Sequence, residues 1–478
     1  MSNGSNHAIP IRFHIWIWLP LILLIMNVAA GFNGLYGQDS FEYLRYSREL
    51  HLYLTDGSLP GVFHWPILYP LAGAMISFLI PDILALQVVS IISYGMMLLY
   101  LKRILIQLYP ERKREAIIYL LLFFSVSPFV LRYASSVMSE ILCMFFLAAF
   151  LYYYLLFRKS GIKSKFLLMV LFASAAINTR YASGIIVLIP LIHAVLLFMK
   201  KFNLGFFVLA LMVPVIVFLP GIFLEIQGSQ AMSGPAVLPE WSILNYFRND
   251  FHSSDGHLSY FLPNIIYVFK DLVHPGFIFA GILFLFFLRR QDIQRPFMAM
   301  TFCIVIVYAL FIAGLPYQND RILILSFPFV FILFSASFFR TWDYIKIRIR
   351  IPSLLLILAV LIIQAGLSYR AYRPFYKNSL LIREIAAHIK AYPDATIYTF
   401  NIDQGLKAYD VRNEIVNLWS ERIENFKTGS IVLINYDSTD SQWQNMNPVY
   451  NLEKLNNDHD LVMLESFPDN WKLYEIKN

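Results

Sequence analysis

Charge is scarce in this sequence. Only 14% of its 478 residues are charged, whereas 58% are hydrophobic and the mean hydropathy is +0.59. Globular domains have roughly 25% charged residues, so an ordinary soluble domain and a disordered chain are both excluded. The composition predicts a polytopic membrane protein that is mainly α-helical.

Cysteine is nearly absent as well. Cys143 and Cys303 both lie inside apolar stretches, where a thiol behaves as a small hydrophobic group. A disulfide scaffold is therefore excluded, and we expect neither a disulfide nor a cysteine metal site. The net charge of +7 comes from residues 1–369, where 26 basic residues face 16 acidic ones. Basic residues on the cytoplasmic side of a membrane protein explain this excess, and nothing indicates a nucleic-acid partner.

Long apolar runs are what the sequence has in abundance. A transmembrane helix needs about 20 apolar residues, and on that basis we predict eleven spans, at 12–30, 83–101, 116–131, 138–157, 166–178, 184–199, 204–224, 276–288, 297–313, 322–339 and 352–368. Residues 66–80 are apolar but short and are punctuated by prolines, so we predict a re-entrant or interfacial piece. The first span resembles a secretory signal at its end, but a retained anchor is the simpler interpretation.

The basic clusters set the predicted orientation. They lie at 102–114, 158–165, 200–201, 289–295 and 340–350, and all fall on one side if the intervening stretches are hairpins of two spans. That side is the cytoplasm by the positive-inside rule. We therefore predict a protein of the inner or plasma membrane with a cytoplasmic N-terminus, outer loops at 32–65 and 225–275, and everything after residue 369 outside.

The composition changes near residue 370. After position 369, 27 of 109 residues are charged, which is soluble-domain usage. A helical pattern covers 379–392, and the runs ATIYTF, SIVLINY, LVMLESF and WKLYEIK have strand character. We predict a transmembrane helical module over 1–369 and a small α/β domain on the outer face over 370–478.

The first outer loop, 32–65, is rich in polar residues between apolar segments. If 39–54 is a helix, Asp39, Glu42, Tyr43 and Tyr46 share one face. The simpler alternative is a solvated helix whose charges pair locally, such as Arg45 with Glu49, in which Asp39 is merely the N-cap. We favour a functional role for Asp39.

The second large outer loop, 225–275, mixes polar and aromatic residues, a composition that suits a sugar or polyprenyl cleft. It contributes Arg248 as a candidate phosphate ligand. His252, Asp255 and His257 are candidate metal ligands, but ordinary exposed histidines explain this unspecific spacing better. The sequence identifies no certain cofactor and leaves a divalent metal ion open.

Five short motifs carry a resemblance to a known superfamily. They are QDSFEYLRYSREL at 38–50, FHWPILYP at 63–70, RYASSVMSE at 132–140, NTRYASG at 178–184 and NDRILILSFPFVFIL at 319–333. In order and placement they resemble the GT-C superfamily of membrane glycosyltransferases, in particular the family-39-like branch that includes protein O-mannosyltransferases and lipid A aminoarabinose transferase. The resemblance covers roughly residues 10–340 and implies a GT-C-type helical bundle.

The resemblance also implies roles for individual residues. Asp39 matches the outer-loop aspartate that deprotonates the acceptor, and Glu140 matches a second acidic residue at the outer end of a later helix. Arg180 and Arg321 match recurring arginines. The implied partners are a polyprenyl-phosphate sugar donor, the lipid bilayer and an acceptor that is a lipid, a glycan or a protein.

The sequence departs from this pattern at three positions. Trp65 stands where the aminoarabinose-type enzymes have a phosphate-binding lysine, and His64 stands where an acidic residue is usual. The donor phosphate would then be held by His64, Arg180, Arg248 or Arg321, with Glu42 and Tyr43 nearby. Ser40 replaces the second acidic residue of protein O-mannosyltransferases, which argues against a protein acceptor.

We therefore expect an inverting glycosyltransferase that moves a sugar from a polyprenyl-phosphate carrier on the outer face, with Asp39 as base. A transporter or flippase of lipid-linked saccharides is the main alternative. Such proteins tend to show inverted repeats and ionisable residues near the bilayer midplane, and neither pattern is evident in the sequence. A polymerase or ligase acting through loop 225–275 is the third hypothesis.

Overall fold

The computed structural model describes residues 15–200, 202–228, 240–253, 256–349, 352–436 and 442–477. The helices of the first half are α1 (Ile15–Ala29), α2 (Gln38–Asp56), α3 (Leu68–Ile76), α4 (Asp82–Leu108), α5 (Lys113–Leu120), α6 (Pro128–Ser135), α7 (Glu140–Ser160), α8 (Lys163–Ile177), α9 (Ser183–Met199) and α10 (Leu204–Ile226). Those of the second half are α11 (Asn264–Tyr267), α12 (Lys270–Val273), α13 (Gly281–Phe286), α14 (Arg290–Ile293), α15 (Pro296–Ala313), α16 (Asp320–Leu323), α17 (Phe327–Tyr344), α18 (Ser353–Ile389), α19 (Asp403–Ala408) and α20 (Asn447–Asp458).

Five of these helices, within the described residues, are long and apolar enough to cross a membrane: α4, α7, α10, α15 and α18. A sixth span is formed if the segment Pro110–Ser125, which contains α5, and α6 count as one, because they pass the same test together but bend by 64° at the break between them. The predicted span 116–131 is therefore a bent helix pair. The mainly helical architecture confirms the predicted fold class.

The predicted span 276–288 is wrong as a single transmembrane helix. Only Gly281–Phe286 is helical there, a length of about 9 Å, too short to cross a bilayer. A side chain at Gly281 would overlap the carbonyl oxygen of Leu272, so the chain folds tightly back on α12 at this point. The short apolar piece at 66–80 forms the nine-residue helix α3, which is also too short to span. The total of eleven spans stays a prediction.

The basic clusters lie together in the folded chain. Arg112 pairs with Asp343 at 2.6 Å, Arg340 pairs with Asp292, and the Lys159 ammonium donates to the carbonyl oxygen of Gln107 at 3.5 Å. Segments from four of the five predicted clusters are therefore in contact at one end of the helical bundle.

The C-terminal part is a small mixed α/β unit. Its strands are β3 (Ile397–Thr399), β4 (Ile415–Asn417), β5 (Ile431–Asn435), β6 (Asp460–Ser466) and β7 (Trp471–Lys477), while β1 (Asp250–Ser253) and β2 (Gly256–Ser259) form a separate antiparallel hairpin earlier in the chain. The five-stranded sheet has the order β4-β3-β5-β7-β6. β3 pairs in parallel with β4 and β5, and β7 pairs antiparallel with β5 and β6. All four predicted strands are present, and β4 is an additional one.

A single helix joins the two predicted domains. α18 runs for 37 residues, about 55 Å. It covers the last predicted span from Ser353 onward and the helix predicted at 379–392 as far as Ile389. The predicted boundary at 369/370 therefore falls inside a continuous helix, and the domain limits stay a prediction. The helix continues through Pro374, so the change in composition marks where its surface becomes polar and not where it ends.

The C-terminal unit packs directly on α2. The rings of Phe41 and Tyr409 lie 5.9 Å apart at a T-shaped angle, and the Asn33 amide donates to the Tyr409 hydroxyl at 3.1 Å. Buried side chains of α2, α3, α18, α19 and β3 belong to one hydrophobic cluster. Residues of the loop 32–65 and of the C-terminal sheet therefore share a core, and this shared core positions the site described next.

Candidate active site

The start of α2 holds Asp39 in a defined position. The Ser40 hydroxyl accepts hydrogen bonds from the backbone N–H groups of Tyr36 at 3.0 Å and Gly37 at 3.2 Å, which fixes the turn into the helix. Gly37 is the N-cap, and Asp39 is the second residue of the helix. The alternative in which Asp39 is the N-cap is therefore wrong, and its side chain, 37% exposed, takes part in a different interaction.

Asp39 belongs to a four-membered charge cluster. The Arg321 guanidinium donates from Nη1 to the Asp39 carboxylate and from Nε to Glu140 Oε1, the latter at 2.7 Å. Arg180 Nη1 donates to the same Glu140 oxygen at 2.8 Å. Two carboxylates and two arginines from four distant parts of the chain thus form one ion-pair chain, Asp39–Arg321–Glu140–Arg180.

Glu140 is the buried centre of this cluster. Its side chain is 0% exposed, whereas Arg180 and Arg321 are 18% and 19% exposed. An unpaired buried carboxylate is strongly unfavourable, so the two arginines are required partners of Glu140. Burial lowers the pKa of the Arg321 guanidinium, but Glu140 and Asp39 outweigh this effect and raise that pKa well above its usual value. Arg321 therefore remains a cation throughout the physiological range.

Hydrogen bonds also connect Arg180 to α2 through Ser139. Arg180 Nη1 also donates to the Ser139 hydroxyl at 3.3 Å, and that hydroxyl lies 3.0 Å from the Tyr43 hydroxyl. The Tyr43 ring packs edge-on against Phe63 and lies 5.5 Å from Trp65. Burial raises the pKa of Tyr43 to about 12, so its hydroxyl stays protonated and serves as a neutral hydrogen-bonding group.

These groups face a cavity of 910 Å³. Five of the predicted site residues line it, namely Asp39, Tyr43, His64, Arg180 and Arg321. One side of the cavity is apolar and includes Ile185, Phe311, Leu315 and Ile322 from α9, α15, α16 and the loop between the last two. The cavity therefore combines paired cations, a carboxylate and an apolar wall, an arrangement typical of a site for an amphiphilic anion.

Three predicted site residues do not line this cavity. Glu140 lies beneath it, fully buried. Glu42 pairs with Arg45 on the same helix, as the local-pairing alternative predicts. Arg248 is exposed and is not among the residues that surround the cavity.

The hairpin β1–β2 brings together three residues with metal-binding side chains. The ligand atoms of Asp250, His252 and His257 lie within 4.8 Å of one another. Asp255, one of the predicted candidate ligands, lies outside the described residues. His257 Nε2 is 2.8 Å from the Asp250 carboxylate, a hydrogen-bond contact that needs no metal. The prediction of a divalent ion stays a prediction.

Sequence reasoning missed the opposite wall of the cavity. It is formed by residues of the C-terminal unit, which are Phe400, Asn401, Asn417, Trp419, Gln442 and Trp443. A neighbouring cavity of 450 Å³ shares Gln38, Asp39, Asn401 and Arg321 with the first. Asp39 therefore lies at the junction of two spaces, one of which reaches the apolar wall.

Comparison with solved structures identifies the fold. The chain is similar to ArnT from Cupriavidus metallidurans, whose crystal structure is bound to undecaprenyl phosphate. The TM-score is 0.58 at 12% sequence identity, over 96% of this chain and 97% of that one. No protein-family model matches the sequence, and neither does any curated protein. At this identity the likeness shows that the chain has the fold of that structure, as the motifs predicted. Together with the apolar helices among the described residues, it makes the chain a multi-pass membrane protein.

Proposed function

We propose that this protein is a membrane glycosyltransferase that moves a sugar from a polyprenyl-phosphate carrier to an acceptor. The observation that carries the proposal is the ion-pair chain Asp39–Arg321–Glu140–Arg180, which joins a carboxylate to two cations on the wall of a partly apolar cavity. The similar ArnT structure is bound to undecaprenyl phosphate, and a phosphate on an apolar chain is the kind of anion that such a cavity accommodates.

Arg180 and Arg321 are the proposed ligands of the donor phosphate. When the sugar leaves, the phosphate gains negative charge, and cations fixed in advance stabilise that charge most effectively in a site shielded from water. Both guanidinium groups are tied to Glu140, so they are held in place before substrate binds. Glu140 does not line the cavity, and we assign it the role of a positioning residue.

Asp39 is the proposed general base. A base must lie within hydrogen-bond reach of the hydroxyl that it deprotonates, and Asp39 lines both cavities. Without substrate, its carboxylate is paired with Arg321. A donor phosphate competes for that arginine, so binding of the donor makes the carboxylate available to the acceptor. A single displacement at the anomeric carbon inverts its configuration.

The orientation is part of the proposal. Glu140 begins α7 and Arg321 precedes α17, whereas the basic clusters at 158–165 and 340–350 lie at the other ends of these two helices. The positive-inside rule places such clusters in the cytoplasm. We infer that the cavity and the C-terminal unit lie on the outer face of the cell membrane.

Sugar transfer from a radiolabelled polyprenyl-phosphate sugar in proteoliposomes tests the proposal. We expect transfer by the wild type and a loss of about 100-fold or more in Asp39→Asn. Asp56→Asn is the matched control, because Asp56 is exposed at the other end of the same helix. Equal transfer by Asp39→Asn and wild type would remove Asp39 as the base, and movement of labelled lipid across the bilayer without transfer would favour a flippase.

A further inference from the structure

One wall of the 910 Å³ cavity comes from the C-terminal unit and has no role in the proposed phosphate site. Asn401 lies shortly after β3 and Asn417 ends β4, and these two strands are parallel neighbours. Ligands of α/β proteins bind at the carboxyl ends of parallel strands. The edge of the sheet that usually binds ligands therefore faces the same space as Asp39.

The described residues of this wall carry no charge. Among the described residues, no charged side chain of the C-terminal unit lines the cavity, although 27 of the 109 residues after position 369 are charged. A phosphorylated acceptor or a charged peptide would be expected to meet opposite charges, since charge-assisted hydrogen bonds are the strong ones. The composition of the wall instead fits an uncharged ligand.

The side chains on the wall are amides and aromatic rings. Trp419 is 44% exposed, and its backbone N–H donates to the Asn417 side-chain oxygen at 2.9 Å, which fixes the turn that presents the indole. Behind it, the buried rings of Phe400 and Trp443 pack edge to face at 5.1 Å. Amides both donate and accept hydrogen bonds, as sugar hydroxyls do, while an exposed indole packs on the C–H face of a sugar ring.

Hydrogen bonds between α2 and α19 fix the position of the wall relative to Asp39. The side-chain amide of Gln38, next to Asp39, donates to Asp403 at 2.5 Å, two residues after Asn401. On the next turns of α2, Arg48 donates to the carbonyl oxygen of Ala408 at 3.3 Å. A ligand bound on the wall is thus positioned relative to the proposed base by direct contacts between α2 and α19.

We propose that this wall binds a neutral oligosaccharide, and that a hydroxyl of this glycan is the acceptor. The inference rests on the proposed function. In the reaction, the acceptor oxygen bonds to the anomeric carbon of the donor while its proton passes to the Asp39 carboxylate. The bond between the anomeric carbon and the phosphate oxygen breaks, and its electron pair leaves with the polyprenyl phosphate.

Binding to a glycan array tests the inference, with the protein in lipid nanodiscs. The array carries neutral oligosaccharides, phosphorylated oligosaccharides, phosphorylated lipid headgroups and peptides. Binding of undecaprenyl phosphate is measured in parallel on the same samples. We expect wild type to bind neutral oligosaccharides, and Trp419→Ala to weaken that binding about ten-fold or more, with partial rescue in Trp419→Phe.

A second variant guards against misfolding. Asn417→Asp keeps the oxygen that accepts from Trp419 but removes the amide donor and adds a charge, so it should weaken glycan binding about ten-fold. Asn457→Asp adds the same charge on the exposed face of α20 and should leave binding unchanged.

The outcomes separate the two proposals. If wild type binds undecaprenyl phosphate and transfers sugar, but binds only phosphorylated glycans or peptides, the inference is wrong and the proposed function stands. If it binds neutral glycans through Trp419 but neither binds undecaprenyl phosphate nor transfers sugar, the wall is a glycan site and the proposed function fails. Neutral-glycan binding that is equal in wild type, Trp419→Ala and Asn417→Asp would place the glycan elsewhere.

Discussion

Two arginine–carboxylate clusters lie at the two ends of α17, and they have the same kinds of side chain but different hydrogen-bond partners. Arg321 precedes this helix and Arg340 lies near its end. They are equally buried, at 19% and 21% side-chain exposure, and their partners Glu140 and Asp292 are 0% and 6% exposed. Burial and charge therefore do not distinguish a substrate site from a structural ion pair in this protein.

The hydrogen-bond partners do distinguish them. Arg340 donates through all three nitrogens, to Asp292 and to the Phe287 carbonyl oxygen, and lines neither cavity described above. In the described part of the chain, the hydrogen bonds of Arg180 leave only from Nη1, and both Arg180 and Arg321 line the 910 Å³ cavity. The cluster that we propose as the substrate site is therefore the one whose arginines also border a cavity.

The largest expected effect separates the two clusters directly. Arg321→Gln should lower sugar transfer by about 100-fold or more, because it removes a cation from the proposed phosphate site. Arg340→Gln should lower thermal stability instead, since Asp292 is left buried without its partner. Transfer rates and melting temperatures of both variants in detergent check this. Equal loss of transfer per folded molecule in the two variants would contradict the comparison.

Glu140→Gln should lower kcat by about 100-fold, with a smaller change in the KM for the donor. The two arginines remain as cations, but without the charge of Glu140 they repel each other and shift, and displacements of about 1 Å near the reacting atoms cost rates of this size. Steady-state kinetics at varied donor concentration measures kcat and the KM for the donor separately. Glu111→Gln is the control, because Glu111 is exposed near the other end of the bundle. A purely structural role would lower the amount of folded protein and leave kcat per folded molecule unchanged.

Arg180→Gln should lower transfer by about ten-fold, less than Arg321→Gln, because Arg180 does not contact Asp39. The matched variant is Arg248→Gln. Both arginines are candidates from the sequence, but Arg248 is exposed and outside the cavity, so its substitution should leave transfer unchanged. A loss with Arg248→Gln as large as that with Arg180→Gln would place the phosphate near the hairpin β1–β2.

The smallest effect concerns stability and pH. Burial raises the pKa of Asp271 from its usual value near 4 to about 7. The folded chain therefore retains a proton between these values that the unfolded chain releases, so stability should fall as pH rises from 4 to 7. Asp271→Asn removes this dependence. Melting temperatures at pH 4.5 and 7.5 should converge in the variant, and an unchanged pH dependence would show that another group causes it.

Local patterns predicted much of the fold. The 3.6-residue period located α2 to within two residues at either end, and strand patterns located β3, β5, β6 and β7. The pattern failed where the helices depend on tertiary contacts. Residues 276–288 are as apolar as a span, but the close approach at Gly281 breaks them up. The strand β4 was not predicted, because its apolar residues Ile415 and Val416 are followed by Asn417, and so short an apolar run carries no strand signal.

The site was predictable only in part. Asp39, Arg180 and Arg321 were singled out by resemblance, and the i,i+4 spacing identified the pairing of Arg45 with Glu49. Nothing in the spacing shows that one Glu140 oxygen binds two arginines, since those arginines lie 40 and 181 positions along the chain. The amide and aromatic wall is also invisible to the sequence, because it depends on which sheet edge packs above α2.

The most direct test of the account is a structure of the protein in nanodiscs with undecaprenyl phosphate, solved by electron cryomicroscopy. The account predicts phosphate oxygens within about 3 Å of the guanidinium nitrogens of Arg180 and Arg321, the lipid chain along the apolar wall, and the Asp39 carboxylate separated from Arg321. A phosphate bound elsewhere, with the Asp39–Arg321 pair intact, would contradict it.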